Sequence, residues 1–363
     1  MAARPLCVAD LEQAARAVLP GPVWDFVAGG SGTESALAEN RRALDAIALV
    51  PRVGTGIASA DTGTGLLGVP SAMPVAVAPM AYHQMLHPDG ELATARAARA
   101  AGVPLVVSVL SGLPLADVAA VGADVWLQLY WLRDEGRLDE ILGIAAAAGY
   151  SGVMVTADTP VMARRLRDLR NGFTLPPGIG PVNLSSSSGP VPQGRAGVSA
   201  LAEHTAAAFS PSFSWALLEQ LCGRTSLPVA IKGVLDPRDA RAAVAAGART
   251  VVVSNHGGRQ FDGAVAAVTA LPEVVEEVGD EAEVLLDSGI RSGLDVLRAL
   301  ALGASGVLLG RPALWGLAAG GAPGVERVLG LLRTELSEAM LLAGAADVTA
   351  AARLRTRIRG YDR

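Results

Sequence analysis

With 363 residues, 51% of them hydrophobic, the chain can fill a sizeable core, and its net charge of -5 leaves no basic footprint for nucleic acid. Its two cysteines, Cys7 and Cys222, are too few for a disulfide framework, which suits a reducing cytoplasm. The N-terminus lacks the apolar run of a secretory leader, and the most apolar stretch, 141–157, is broken by Gly149, Tyr150, Ser151 and Gly152, so a soluble chain away from membranes is expected.

About 70 residues precede the first strand-like run. They read as helices over 10–19, 23–28 and 34–46, packed on the main body rather than forming a domain of their own. From Val75 onward, short apolar runs alternate with alanine-rich amphipathic stretches. The runs cover 75–79, 104–108, 125–130, 152–158, 228–233, 250–254, 283–287 and 306–310. They are nearly continuous in apolar residues, as parallel strands buried on both faces are. Helical stretches such as 90–101, 237–246 and 293–302 lie between them, the second opened by a capping Asp236 before Pro237. Eight such units predict an α/β fold, a TIM (β/α)8 barrel with an N-terminal helical extension and a long lid loop after strand four. A single domain is expected over 1–363, with the extension at 1–70, the barrel at 75–340 and the lid loop at 171–211. The connection 159–227 is far longer than an ordinary βα loop. Its Ser185-Ser186-Ser187-Ser188-Gly189-Pro190 run points to disorder over 184–198.

Chemistry in such barrels sits where the strands end. Strand one ends in Ala78-Pro79-Met80-Ala81-Tyr82, strand two at Ser108, and strand three in Gln128-Leu129-Tyr130. Strand four ends in Thr156-Ala157-Asp158, with Arg164 and Arg165 beyond, and strand five at Lys232-Gly233. Lys232 is the one lysine among 30 basic residues. A selected ammonium and a remnant of codon bias explain it equally well. Strand six ends in Ser254-Asn255-His256-Gly257-Gly258-Arg259, a base and a guanidinium three residues apart with glycines that free the backbone. Strands seven and eight end in Asp287-Ser288-Gly289-Ile290-Arg291 and Gly310-Arg311-Pro312. Glycine amides, helix starts and arginines together suit a phosphate. No Gly-x-Gly-x-x-Gly opens a helix after a strand, so the phosphate points to FMN rather than a dinucleotide. No two histidines stand with a carboxylate as a metal triad, and no metal is expected. His87 before Pro88 reads as a turn residue and His204 as solvated in the lid loop, while Tyr82 reads equally as pocket lining or rim packing.

Almost the whole chain resembles the FMN-dependent α-hydroxy-acid oxidase and dehydrogenase family, whose best-known members are glycolate oxidases. The likeness runs from Leu19-Pro20, Asp25 and Ala38-Glu39-Asn40-Arg41 through His87-Pro88-Asp89-Gly90-Glu91 and the strand-six segment to Gly310-Arg311-Pro312. It implies FMN as cofactor, a small 2-hydroxy acid and O2 as reactants, and a homo-oligomer, commonly a tetramer. It also implies His256 as the active-site base with Asp158 supporting its protonated form, Arg259 and Arg165 as a clamp on the substrate carboxylate, and Tyr130 bonding the reacting oxygen. Lys232 would lie against the flavin N1–O2 edge. Ser108, Gln128, Thr156, Ser254 and the backbone of Pro79, Met80 and Ala81 would hold the flavin ring; Asp287, Gly289, Arg291, Gly310 and Arg311 would hold the ribityl phosphate. Phe26, Leu110 and Met162 would complete the substrate pocket.

Departures from the family pattern carry information. Phe26 stands where relatives commonly have tyrosine, which removes a phenolic donor and leaves the pocket less polar. Leu110 stands where glycolate oxidases carry a tryptophan, which makes room. Both suit an aromatic hydroxy acid. Segments 24–34 and 128–135 are similar to actinobacterial 4-hydroxymandelate oxidases, which implies conversion of 4-hydroxymandelate to 4-hydroxybenzoylformate, with hydrogen peroxide as the other product, in antibiotic biosynthesis. Ser288 replaces a family glycine and is tolerated where its φ is negative. Two alternatives remain open: a mandelate or lactate/glycolate-type dehydrogenase using another electron acceptor, and a non-redox barrel that binds FMN or another phosphate ligand.

Overall fold

The computed structural model describes residues 5–184 and 200–359. Eight parallel strands close a barrel in sequence order: Val75–Val77, Leu105–Ser108, Val125–Leu129, Gly152–Thr156, Val229–Val234, Thr250–Val253, Glu283–Leu286 and Gly306–Leu309, the last pairing with the first. All eight expected strands are present. Most end one or two residues early, where the backbone leaves the ladder to form the barrel mouth.

Alternation of side chains along each strand sorts the interior into layers. Ala76, Val106, Trp126, Met154, Ala230, Val252, Leu285 and Leu308 form one apolar cluster with Leu66 and Leu67. The two leucines belong to a hairpin, Thr64–Leu66 paired with Val69–Ser71, that plugs the N-terminal end of the barrel. Trp126 Nε1 donates to the Leu67 carbonyl at 3.1 Å and ties plug to wall. Two residues further along six of the strands stand Ser108, Gln128, Thr156, Lys232, Ser254 and Asp287, all buried. The interior thus changes from hydrocarbon to a polar floor in a single step of period two.

The extension folds as helices Val8–Val18, Gly21–Ala28 and Ser35–Ala46, followed by strand Ile47–Val50, which pairs antiparallel with Arg355–Ile358. It grips the loop after barrel strand six. Asn40 and Asn255 exchange amide hydrogen bonds at 2.8 Å in each direction. Asp262 accepts from Thr33 N at 2.7 Å and from Ala36 N at 3.0 Å, capping the third helix from across the barrel rim.

The long connection is not structureless where it is described: Leu166–Asn171, Ala200–Ala208 and Trp215–Arg224 are helices. Leu184, expected to be disordered, is instead buried in a short 3-10 turn. Its neighbour Asn183 accepts from Leu115 N and donates to Leu113 O, both at 3.1 Å, and so pins the turn to the barrel. Residues 185–198, the rest of the expected disorder, lie outside the described residues. His204 is also a correction. It is buried, not solvated, because helical spacing places it on the inward face with Leu201 and Thr205.

Truncating the plug should be costly. Trp126→Ala is expected to lower the free energy of unfolding by about 3–5 kcal/mol in denaturant titration, through the cavity and the stranded Leu67 carbonyl. A loss below about 1 kcal/mol would mean that the hairpin does not anchor the barrel floor.

Candidate active site

A cleft of about 1280 Å³, measured out to its mouth, opens at the C-terminal end of the barrel. Every residue expected to bind cofactor or substrate lines this cleft except Ser254, which lies beneath Lys232. Asp158 stands behind His256.

His256 leaves strand six with a left-handed φ of 59°, and its N–H donates to Ser254 Oγ at 2.9 Å. A Cβ on Gly258 would come within 2.5 Å of Leu37 N, so only glycine lets the third helix close on this turn. His256 Nδ1 lies 2.9 Å from Asp158 Oδ1, which fixes the proton on Nδ1 and leaves Nε2 as the free basic nitrogen. Gly233, with φ 106°, makes space for that carboxylate: a Cβ there would meet the Asp158 side chain at 2.6 Å. Burial pushes His256 below the ordinary imidazole value, although Asp158 opposes it. Burial works against the Asp158 charge too, but His256 and Lys232 outweigh it and hold the carboxyl below its usual range. Gln260, which sequence reasoning missed, donates to the carbonyls of Asp158 at 3.0 Å and Val161 at 2.9 Å and steadies the strand-four loop.

The polar floor is a hydrogen-bonded arc. Ser108 Oγ donates to Gln128 Oε1 at 2.8 Å, and Gln128 Nε2 donates to Thr156 Oγ1 at 3.1 Å. Across the barrel, Lys232 Nζ donates to Ser254 Oγ at 3.0 Å and lies 2.8 Å from Asp287 Oδ2, which also accepts from Ser254 Oγ at 2.7 Å. Burial disfavours the ammonium, yet Asp287 and Asp158 outweigh it, so the Lys232 pKa stands above its usual value. The lone lysine is a fixed cation.

Phe26 turns its ring to both expected clamp residues. Arg165 Cζ and Arg259 Cζ stand 5.5 Å and 5.1 Å from its centroid, and the far face stacks on Phe173 at 4.6 Å. The phenol is absent, but the ring still serves the arginines through cation–π contact. Arg259 Nη1 donates to the carbonyls of Phe26 at 2.7 Å and Gly29 at 2.8 Å. Burial, then Arg165 and Arg311, push Arg259 well below the usual guanidinium value. Burial also lowers Arg165, whose Nε is buried and has no partner among the described residues. Two guanidiniums in this state match a carboxylate. The opposite wall includes Leu201, Thr205 and Phe209, with Phe209 stacked 4.5 Å from Tyr130. These three were not foreseen, and no local pattern marks them.

At the ends of strands seven and eight, Arg291 lies 4.8 Å over Trp315 and is pushed down to about 9 by burial, Arg311 and Arg41. Burial also pushes Arg311 down to about 10, against Asp287. Such crowding of cations beside Gly289 and Gly310 fits an FMN phosphate, as the floor fits the flavin ring. Arg311 has a second, unforeseen duty. Its Nε, Nη1 and Nη2 donate to the carbonyls of Val27, Gly257 and Gly29 at 3.0, 3.0 and 2.9 Å, bracketing the extension against the His256 turn. Ser288 does not meet the condition set for it, since its φ is +82°, not negative. Its Oγ accepts from Gly257 N at 2.9 Å, offsetting a left-handed cost of about 1–2 kcal/mol. Among the described residues no cluster of His, Cys, Asp or Glu is arranged to hold a metal, and no helix is long and apolar enough to cross a membrane.

Residues 15–357 match the family described as FMN-dependent dehydrogenase. A 4-hydroxymandelate oxidase of Amycolatopsis orientalis is 50% identical over 351 residues, covering 97% of this chain and 98% of that protein. An L-lactate oxidase of Nostoc sp. is 44% identical, covering 95% and 96%, and 2-hydroxyacid oxidase 1 of Homo sapiens is 42% identical, covering 96% and 95%. A crystal structure of mandelate oxidase with (S)-4-hydroxymandelic acid superposes with a TM-score of 0.94 at 50% identity, covering 98% of this chain and 99% of that one. The chain therefore belongs to the FMN-dependent dehydrogenase family, with FMN as its cofactor and hydroxy-acid oxidation as its chemistry.

Proposed function

We propose that the chain oxidises an aromatic (S)-2-hydroxy acid, 4-hydroxymandelate above all, to its 2-oxo acid, here 4-hydroxybenzoylformate, with O2 reduced to hydrogen peroxide. One observation carries this reading. His256, held by Asp158, faces a cleft in which two half-buried arginines share the Phe26 ring and much of the remaining wall is hydrocarbon. The 4-hydroxymandelate and mandelate oxidases among the relatives support the choice of substrate.

FMN, when bound, supplies the two-electron acceptor. The side chains do the rest. Arg165 and Arg259 hold the carboxylate and thereby fix the carbinol carbon. Tyr130 donates to the reacting oxygen as a neutral phenol, since burial pushes it up to about 12. His256 Nε2 takes a proton from the carbinol group, and Asp158 stabilises the imidazolium that forms. Lys232 holds positive charge at the floor where electron density accumulates. Ser108, Gln128, Thr156 and the Pro79-Met80-Ala81 backbone would hold the flavin ring, with Ser254 and Asp287 orienting Lys232. Gly289, Arg291, Gly310 and Arg311 would hold the phosphate. Leu110, Met162, Leu201 and Phe209 offer hydrocarbon to an aryl substituent. We extend the reading to a homotetramer in the cytoplasm that feeds antibiotic biosynthesis, with 171–211 as the lid. The two unpaired cysteines support the compartment, and family resemblance supports the rest.

His256→Ala should keep the yellow flavin while slowing its anaerobic reduction by about 10²–10⁴-fold. Turnover at the wild-type rate would remove the base assignment, and absence of stoichiometric peroxide in air would remove the oxidase. The pH profile follows from the half-buried imidazole. Neutral His256 is the competent form, so kcat/KM should rise with pH and level off below the ordinary imidazole pKa of about 6.5. Asp158→Asn removes the charge that raises the His256 pKa, so this limb should move to lower pH as the plateau drops; an upward move would contradict the pairing. Leu110→Trp should cut kcat/KM for 4-hydroxymandelate by about tenfold or more relative to glycolate, because overpacking the wall costs about 1–3 kcal/mol. An unchanged ratio would show that Leu110 does not set substrate size.

A further inference from the structure

Tyr82 is a cleft residue that the chemistry above leaves unused. It follows Pro79-Met80-Ala81, takes a left-handed φ of 58°, and is fully buried against the cleft. Its N–H donates to the Leu110 carbonyl at 3.3 Å, which fixes it beside the residue that widens the pocket. The phenolic oxygen is buried and has no partner among the described residues. A stranded buried hydroxyl is costly, so its presence on a ligand-facing wall calls for a partner that arrives with the ligand.

The substrate's other polar groups are already matched. Arg165 and Arg259 answer the carboxylate, and Tyr130 and His256 answer the carbinol. Thr205, another hydroxyl on the cleft wall, donates to the Leu201 carbonyl at 2.6 Å. Met85, Leu86 and Leu110 supply hydrocarbon to the same cleft. Burial, with Tyr130 adding to it, raises the Tyr82 phenol far above its ordinary value, so it stays neutral and can both donate and accept.

We propose that the Tyr82 hydroxyl pairs with the para-hydroxyl of a bound 4-hydroxyaryl substrate and so separates 4-hydroxymandelate from mandelate. The inference rests on the aromatic-substrate reading given above. Its physical basis is asymmetry: a site built to bond a hydroxyl rejects the analogue that lacks it, because the buried protein group is then left unpaired. Two neutral phenols can pair in either donor sense, so no proton need move.

The test uses the holoenzyme and two paired probes. Anaerobic flavin reduction by (S)-4-hydroxymandelate and (S)-mandelate is compared in wild type and Tyr82→Phe. The wild type should prefer the hydroxylated acid, and the variant should lose about tenfold or more of that preference, the loss falling on 4-hydroxymandelate. Independently, the wild-type flavin spectrum should report tighter binding of 4-hydroxybenzoylformate than of benzoylformate, a measurement that needs no variant to fold. An unchanged preference in the variant, or equal binding of the two oxo acids by wild type, overturns the Tyr82 assignment and leaves the aromatic reading standing. Reduction of wild type by glycolate but by neither aromatic acid brings down both.

Discussion

Side chains on a strand point alternately to its two faces, and in a closed barrel this stacks the interior in layers two residues apart. The rest of this molecule hangs on that spacing. Strand three carries Trp126 in the apolar plug, Gln128 in the polar floor and Tyr130 on the cleft wall. Strand four repeats the series with Met154, Thr156 and Asp158, and strand six with Val252, Ser254 and His256. A one-residue slip on any of these strands would turn the floor residue toward the helices and bring hydrocarbon to the mouth. Plug, polar floor and cleft rim are therefore one pattern read at three depths.

Electrostatics divides those depths. The floor is balanced from within, since Lys232 has Asp287 and Ser254 as partners. Removing one member of such a buried pair costs about 3–5 kcal/mol, which makes the floor rigid as well as charged. The rim is not balanced. Arg165, Arg259, Arg291 and Arg311 all sit below the ordinary guanidinium range, chiefly through burial. Cations held in that condition favour anions, and the proposed roles supply two: a substrate carboxylate at Arg165 and Arg259, and the cofactor phosphate at Arg291 and Arg311. The Phe26 ring faces both members of the first pair, and the Asp168 carboxylate offsets part of their charge.

Barrel and rim were legible in the chain because both are written with short spacing. Eight apolar runs mark the strands, and on six of them the polar residue near the end of the run lies where alternation demands. The His256 to Arg259 segment is local in the same sense. What escaped depends on distance in sequence: Phe173 behind Phe26, Phe209 on Tyr130, Asn40 paired with Asn255, and Arg311 reaching back to Val27 and Gly29. The Ser288 backbone was left open for a related reason. Its left-handed backbone is tolerated through a hydrogen bond from Gly257, which no local pattern announces. His204 looked like a loop residue because the helix that buries it interrupts a Gly/Pro-rich connection.

The arrangement of a neutral base and an arginine pair in a hydrocarbon-walled cleft is tested most directly by anaerobic titration of the purified flavoprotein. The flavin absorbance is followed while (S)-4-hydroxymandelate, (S)-lactate and glycolate are added in turn. Rapid bleaching by (S)-4-hydroxymandelate, faster than by either aliphatic acid, is the predicted result. A protein without flavin colour, or one bleached faster by glycolate or lactate, would contradict it.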